Sequence, residues 1–249
     1  MPRRRFFISG DRIHDGFAVL PPDQAHHLRD VLRLRAGDTI ELFDGEGVGY
    51  SGRIECRGLE VRIGSLARLA PQEERKTPLV LAAALIKQDR FEWMLQKATE
   101  LGVDRFLPLE TSLAAVRIPP SRLEARLDRW RRIVREASKQ CRRLTVPEIR
   151  SPLTLQALLA LPEYSSSLKL MLHEKAPERL SPPAASSVVF AVGPEGGWDD
   201  AEALAAERAG YRLVSMGSRI LRAETAALAA AAIITILCAS GLTEQNVGK

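Results

Sequence analysis

The sequence predicts an α/β protein, a mainly parallel sheet covered by helices, preceded by a small β-rich module. Three observations predict it. From Leu79 onward, short apolar runs alternate with segments of helical period, the pattern of strand–helix–strand units. Runs such as Leu79–Ile86 and Val188–Val192 are apolar without alternation, as strands buried on both faces are. Residues 1–70 carry short strand-like runs around a strong turn signal, Asp44-Gly45-Glu46-Gly47.

In chain order, Asp23 is placed to cap a short helix, Gln24–Leu34, that stops before Ala36-Gly37-Asp38. Thr39–Phe43 and Gly49–Cys56 read as strands on either side of the turn, and Leu59–Leu69 as another. Residues 1–70 thus form one expected domain. Pro71–Pro78 is polar, charged and bracketed by prolines, so 71–78 reads as a linker and 79–249 as the second domain. There, Asp89–Leu101 is a helix with Phe91, Leu95, Ala98 and Leu101 on one face, ended by Gly102. Phe106–Leu109 is a short strand, placed at an edge or strand end because Pro108 cannot donate to a ladder. Ser121–Gln140 is a long helix with Leu123, Leu127, Trp130, Val134 and Ala137 at helical spacing. Leu168–His173 is a strand. Val188–Val192 runs into Gly193-Pro194-Glu195-Gly196-Gly197, after which Asp199 and Glu202 mark a helix start. Gly210 ends that helix, Tyr211–Met216 is the next strand, and Gly217–Arg222 is a second irregular loop. From Glu224 the chain is an Ala-rich helix, apolar almost all round.

Two strands therefore end in two irregular loops, and open α/β sheets bind ligands at the carboxyl ends of their strands. The first loop matches neither G-x-x-x-x-G-K-[ST] nor G-x-G-x-x-G, which argues against a nucleotide triphosphatase. No metal site is expected: His14, His26, His27 and His173 sit in no ligand-spaced frame. No apolar stretch reaches the roughly eighteen residues of a membrane span. Three cysteines without metal-like spacing, and an N-terminus lacking the apolar core of a secretory signal, suggest a cytoplasmic setting.

Net charge is +5, and its placement matters more than its size. Residues 121–150 hold ten Lys or Arg against four Asp or Glu. A local basic excess suggests a polyanion partner, although a solvated helix face is the plainer reading of any one charge run. Arg3, Arg4 and Arg5 beside Phe6 and Phe7 offer a second patch, which makes nucleic acid a better reading than either alone.

The paired loops resemble the signature of the RsmE-type methyltransferases: Val192–Gly197 followed by Met216-Gly217-Ser218-Arg219-Ile220-Leu221-Arg222-Ala223-Glu224-Thr225-Ala226. The resemblance extends to Val31–Leu34, including Arg33, to Glu41–Gly45, to Gln96–Val103, and to Gln140, Arg143 and Val146–Ile149. It implies a SPOUT-type catalytic domain with a C-terminal trefoil knot behind a PUA-like β-barrel. It implies S-adenosylmethionine as cofactor, a homodimer, and methylation at N3 of a uridine in small-subunit (16S) ribosomal RNA. The cofactor residues it implies are Leu172, His173, Val192, Gly193, Pro194, Glu195, Gly196, Gly197, Met216, Gly217, Ile220, Leu221, Thr225 and Ala226. For the chemistry at N3, Arg222 is read as the electrostatic stabiliser of the developing charge and Glu224 as a candidate base. Arg3, Arg4, Arg5, Arg33, Arg129, Arg132, Arg135 and Arg143 are the expected RNA contacts, on ribosomal RNA or the small subunit itself. The chain departs from the pattern twice. Thr111 stands where relatives often have Arg, and Arg142 stands where a turn glycine is expected. Two other functions fit the same residues: a SPOUT enzyme acting on another RNA, and a non-catalytic RNA-binding assembly factor, which would bind RNA without the cofactor.

Overall fold

The computed structural model describes residues 4–57, 60–70, 77–181 and 185–239, so most of the expected linker, 71–76, lies outside the described residues. The chain forms two compact units, residues 1–74 with 138–146, and residues 75–137 with 147–249.

The first unit holds β1 (Arg5–Phe7), β2 (Ile13–His14), β3 (Phe17–Val19), α1 (Pro22–His26), β4 (Thr39–Phe43), β5 (Gly49–Arg57) and β6 (Glu60–Arg68). They make a six-stranded sheet in the order β1-β4-β5-β6-β3-β2, antiparallel except where β1 meets β4. Phe6, Leu20, Leu28, Ile40, Leu42, Ile54 and Ile63 fill one core, so Phe6 is core rather than a base platform. The turn after β4 forms as expected: Asp44 Oδ1 accepts from the N–H groups of Glu46 and Val48, at 2.8 and 3.0 Å. The short helix begins earlier than its capping signal suggested. Pro21 is the N-cap and Pro22 the first helical residue, a position where a missing N–H costs nothing. Asp23 lies in the first turn, and the helix widens to a π turn over His27–Val31 and stops there.

The second unit holds β7 (Leu79–Ala84), α2 (Gln88–Glu100), β8 (Arg105–Glu110), α3 (Pro120–Cys141, whose last residues belong to the first unit), β9 (Glu148–Ile149), β10 (Leu153–Thr154), α4 (Leu155–Leu159), β11 (Leu168–Leu172), β12 (Val188–Val192), α5 (Asp200–Arg208), β13 (Arg212–Val214) and α6 (Ala223–Ala239). The sheet order is β10-β8-β7-β12-β11-β13, with β9 also on β8, and every pairing is parallel. β7 and β12 lie at the centre and are buried along their whole length, which explains their unbroken apolar sequences.

β8 is interior rather than an edge strand, which corrects the reading of Pro108. Asp104 O and Phe106 O accept from the N–H groups of Glu148 and Arg150, so even-numbered residues of β8 face β9 and β10. Those two partners touch β8 at 105–106 and at 109–110, and Pro108 falls in the gap between them. Its missing donor interrupts no ladder.

The carboxyl end of β13 is enclosed on both sides. Val214 pairs with Leu172 of β11, and Val214 O accepts from His173 N at 2.9 Å. On the opposite side Ser215 N donates to Glu178 O at 2.7 Å, and Leu180 N donates to Ser215 O at 2.9 Å. Residues 178–180, on the chain leaving β11, therefore lie on the far side of β13, and α6 packs on α2, β7 and β12. This enclosure is what the knotted domain implied by the resemblance requires, an exception to the rule against threaded loops.

Candidate active site

Three neighbouring strands, β12, β11 and β13, end at Val192, Leu172 and Val214 on the same edge of the sheet. The first loop leaves β12 as a tight turn in which Gly197 N donates to Pro194 O at 3.0 Å. Gly197 has φ +74°, the left-handed region that a side chain disfavours, and apart from its chain neighbours no described residue has an atom within 4 Å of where its Cβ would be. At Gly193 a Cβ would stand 3.1 Å from the indole of Trp198. That indole is buried and donates Nε1–H to Leu172 O at 3.0 Å, tying the first loop to the end of β11. Sequence reasoning passed over Trp198, and its position one residue past the glycines was the available signal.

The capping box at α5 forms as read. Asp199 Oδ1 accepts from Glu202 N at 2.7 Å, and Glu202 Oε2 accepts from Asp199 N at 3.2 Å. A segment distant in sequence fastens onto it. Ser112 N donates to Glu202 Oε1 at 2.9 Å, and Ser112 Oγ donates to Asp199 Oδ2 at 2.5 Å. The Ser112 bond, with backbone donors from the helix, holds the Asp199 carboxyl below its usual pKa. Leu113 is thereby brought over Gly196, where an added Cβ would lie 3.2 Å from Leu113 Cβ. Thr111 is 2% exposed and its Oγ1 has no partner among the described residues, while its carbonyl accepts from Arg117 Nη2 at 2.7 Å.

The second loop carries Met216 and Gly217, the latter at φ +106° with open space where a Cβ would be. Ile220 is 83% exposed, the most exposed large apolar side chain among the described residues, and Leu221 is half-buried. Arg222 is the N-cap of α6, since its carbonyl accepts from Ala226 N at 2.8 Å, and its side chain is exposed. Glu224 is buried, and its Oε2 has no hydrogen-bond partner among the described residues. Thr225 is exposed and Ala226 half-buried on the same turn. His173 is half-buried, with Nδ1 accepting from Lys175 N at 3.2 Å. Arg90, which the sequence did not single out, lies 3.5 Å from Glu195 and 3.9 Å from Glu224. The fold thus gathers Leu172, His173, Val192–Gly197, Met216 and Gly217 on one edge, with Arg222 and Glu224 where the second loop becomes α6.

A family model described as an RNA methyltransferase domain matches residues 73–235, and one described as an RNA methyltransferase PUA domain matches residues 20–57. Ribosomal RNA small subunit methyltransferase E of Synechocystis is 33% identical over 95% of this chain and 78% of its own length. The chain belongs to the ribosomal RNA small subunit methyltransferase E family. Two solved structures extend the likeness. The methyltransferase E of Neisseria gonorrhoeae, bound to S-adenosyl methionine, is 32% identical with a TM-score of 0.85, covering 94% of this chain and 98% of that one. A putative methyltransferase of Legionella pneumophila, in complex with the cofactor SAM, is 30% identical with a TM-score of 0.83, covering 96% and 98%.

The cations expected to hold RNA are not equivalent. Arg3 lies outside the described residues. Arg4 and Arg33 are exposed in the first unit, Arg33 at φ +54°. Arg5 is 8% exposed, with its guanidinium 4.5 Å from the centroid of the Phe43 ring. Burial lowers its pKa, and Glu41 opposes the shift. Strand alternation puts Arg5 on the face of β1 opposite Phe6, where it is covered beside Phe43 and withdrawn from any surface patch. Arg143 is half-buried and donates to Thr145 Oγ1 at 3.2 Å. On α3, Arg129 makes a two-pronged pair with Glu92, at 2.6 and 2.7 Å, whereas Arg132 is exposed and Arg135 half-buried. Burial pushes the Glu92 carboxyl up, but its bonds from Arg129 and Gln88 outweigh this and lower its pKa. Among the described residues no cluster of His, Cys, Asp or Glu could hold a metal ion, and no helix is long and apolar enough to cross a membrane.

Proposed function

We propose that the protein methylates N3 of a uridine in small-subunit ribosomal RNA, using S-adenosylmethionine held by the two loops at the ends of β12 and β13. The observation that carries this reading is the joint site itself: two side-chain-poor loops on one edge of a threaded parallel sheet, closed by Arg222 and Glu224. The residues fit the cofactor, because Gly197 and Gly217 leave bare backbone facing open space where peptide groups can meet a nucleoside. Leu172, Val192–Gly197, Met216, Gly217 and Leu221 would hold it, with Ile220, Thr225 and Ala226 at the margin. When bound, S-adenosylmethionine supplies a methyl group already activated on a sulfonium. The protein's task is alignment, together with lowering the cost of removing the N3 proton from a weakly acidic imide. Arg222, exposed beside the second loop, would face the oxygens on which that charge develops. Glu224 is too buried to reach a base directly, so its role is exerted on its neighbours. Exposed cations of α3, with Arg4 and Arg33, would meet phosphates, and the target uridine would be unpaired or splayed out so that N3 is accessible.

The homodimer belongs to the same reading. Leu228, Ala229, Ala232 and Ile233 stay half-buried on the face of α6 away from Ala227, Ala230, Ala231 and Ile234, an apolar surface for a second copy to cover. Cytoplasmic residence follows from a ribosomal substrate. The test is mass spectrometry of ribosomal RNA from cells lacking the gene. Loss of one 3-methyluridine from the small-subunit RNA is expected, restored by wild type and not by Arg222→Lys. An unchanged modification profile rejects the activity.

A further inference from the structure

Arg90 lies on the first turn of α2, outside both signature loops, and its guanidinium sits between two carboxylates. Nη1 is 3.5 Å from Glu195 Oε1 on the first loop, and Nε is 3.9 Å from Glu224 Oε1 on the first turn of α6. The acids differ in setting: the Glu195 side chain is 41% exposed and that of Glu224 is 9% exposed. A buried carboxylate with an unbonded oxygen is costly unless positive charge faces it. β7 and β12, the strands beneath α6, are LVLAAA and VVFAV and carry no ionisable group. From α2 the facing charge is Arg90, and behind it comes Glu195 from the first loop. On its own segment Glu224 has the partial positive charge of the helix start, and Arg222 two residues earlier with an exposed side chain.

We propose that Arg90 is a positioning residue of the cofactor site, clamping the Pro194–Gly197 turn to the first turn of α6 through Glu195 and Glu224. This rests on the cofactor reading given above. Two loops that must be ordered on binding weaken affinity, and a clamp that fixes their spacing beforehand removes that cost. Arginine suits the task because separate nitrogens address the two acids at once, whereas a lysine ammonium is a single point charge.

The test is a double-mutant cycle in the full-length protein, using Arg90→Met, Glu195→Gln and their combination. Calorimetry gives the S-adenosylmethionine dissociation constant, and urea unfolding of the free protein gives stability. Arg90→Met is expected to weaken cofactor binding about tenfold or more, and Glu195→Gln severalfold. The double variant should be no worse than Arg90→Met alone, and Arg90→Lys should recover only part of the loss. Unchanged affinity in Arg90→Met, losses that multiply in the double variant, or full rescue by Lys would each overturn the clamp. Should Arg90→Met not fold, Glu195→Gln and Arg90→Lys decide: weaker binding with an unshifted urea midpoint supports the clamp, and wild-type affinity in both rejects it. Wild-type protein that binds no S-adenosylmethionine would overturn the cofactor reading and the clamp with it, whereas tight binding by both wild type and Arg90→Met rejects the clamp alone.

Discussion

The indole of Trp198 donates its hydrogen bond to the carbonyl of Leu172, so a side chain from the loop after β12 is anchored on the neighbouring strand β11. Trp198→Phe keeps an aromatic ring but removes the donor and leaves a buried carbonyl short of a partner. A stability loss of about 1–3 kcal/mol is expected. Cofactor affinity should fall as well, because the same ring packs under Gly193. Urea unfolding and calorimetry read the two effects, and an unshifted midpoint would show the bond to be dispensable.

Gly196→Val should weaken S-adenosylmethionine binding at least tenfold, about 1.4 kcal/mol. The cause is the neighbour above it. A Cβ at Gly196 already presses on Leu113, so the branched side chain must move either the glycine turn or the 111–114 segment. Truncating Leu113 to Ala should restore part of the affinity. Equal affinity in Gly196→Val and wild type would mean that the turn adjusts freely.

Arg142 follows the end of α3 at φ +68°, the conformation that favours glycine there. The sequence replaced the expected glycine while the backbone kept its shape. Arg142→Gly is therefore expected to stabilise the protein by about 1 kcal/mol, measured as a higher denaturation midpoint. If the cation also meets phosphate, the same variant will bind RNA with a shallower salt dependence.

Arg222→Lys keeps a charge at the N-cap of α6 and loses the planar fork of donors. Methyl transfer is expected to fall about 10²-fold or more, as when one oxyanion donor is removed. Cofactor affinity and folding should stay near wild type. Single-turnover methylation of small-subunit RNA measures it, and a near-normal rate would reduce Arg222 to a charge or a loop brace.

Arg132→Ala should flatten the salt dependence of RNA binding more than Arg129→Ala, because Arg129 is already neutralised by Glu92. That pairing also has a pH signature. The Glu92 pKa is lowered in the folded protein, so its contribution to stability is present above the unfolded value and is lost as pH falls through the folded one. Equal salt slopes for the two variants would mean that Glu92 yields Arg129 to phosphate.

What could be read from the sequence was what neighbours in sequence decide. Asp199 with Glu202, the Asp44 turn and the glycines at 197, 210 and 217 each work within a few residues, and each stands where its local chemistry placed it. Arg90, Ser112 and Trp198 were missed because their partners Glu224, Asp199 and Leu172 lie far along the chain, and no spacing rule connects them. Arg5 shows the opposite failure. A run of three arginines reads as surface charge, but the face of β1 opposite Phe6 is also covered, and Arg5 is buried there beside Phe43. Pro108 was assigned from a sound rule about donors, and the structure satisfies that rule by breaking the outer strand in two.

The enclosure of β13 between β11 and residues 178–180 puts the events of folding in an obligatory order. An eyelet must exist before anything can go through it, so β11, β12 and their connection must associate while the last helix is still outside. Such long-range closure is entropically slow and comes late. A bulky globular passenger joined ahead of β1 leaves the passage clear. The same passenger joined behind α6 would have to make the passage first, and is expected to slow folding more than one joined ahead of β1.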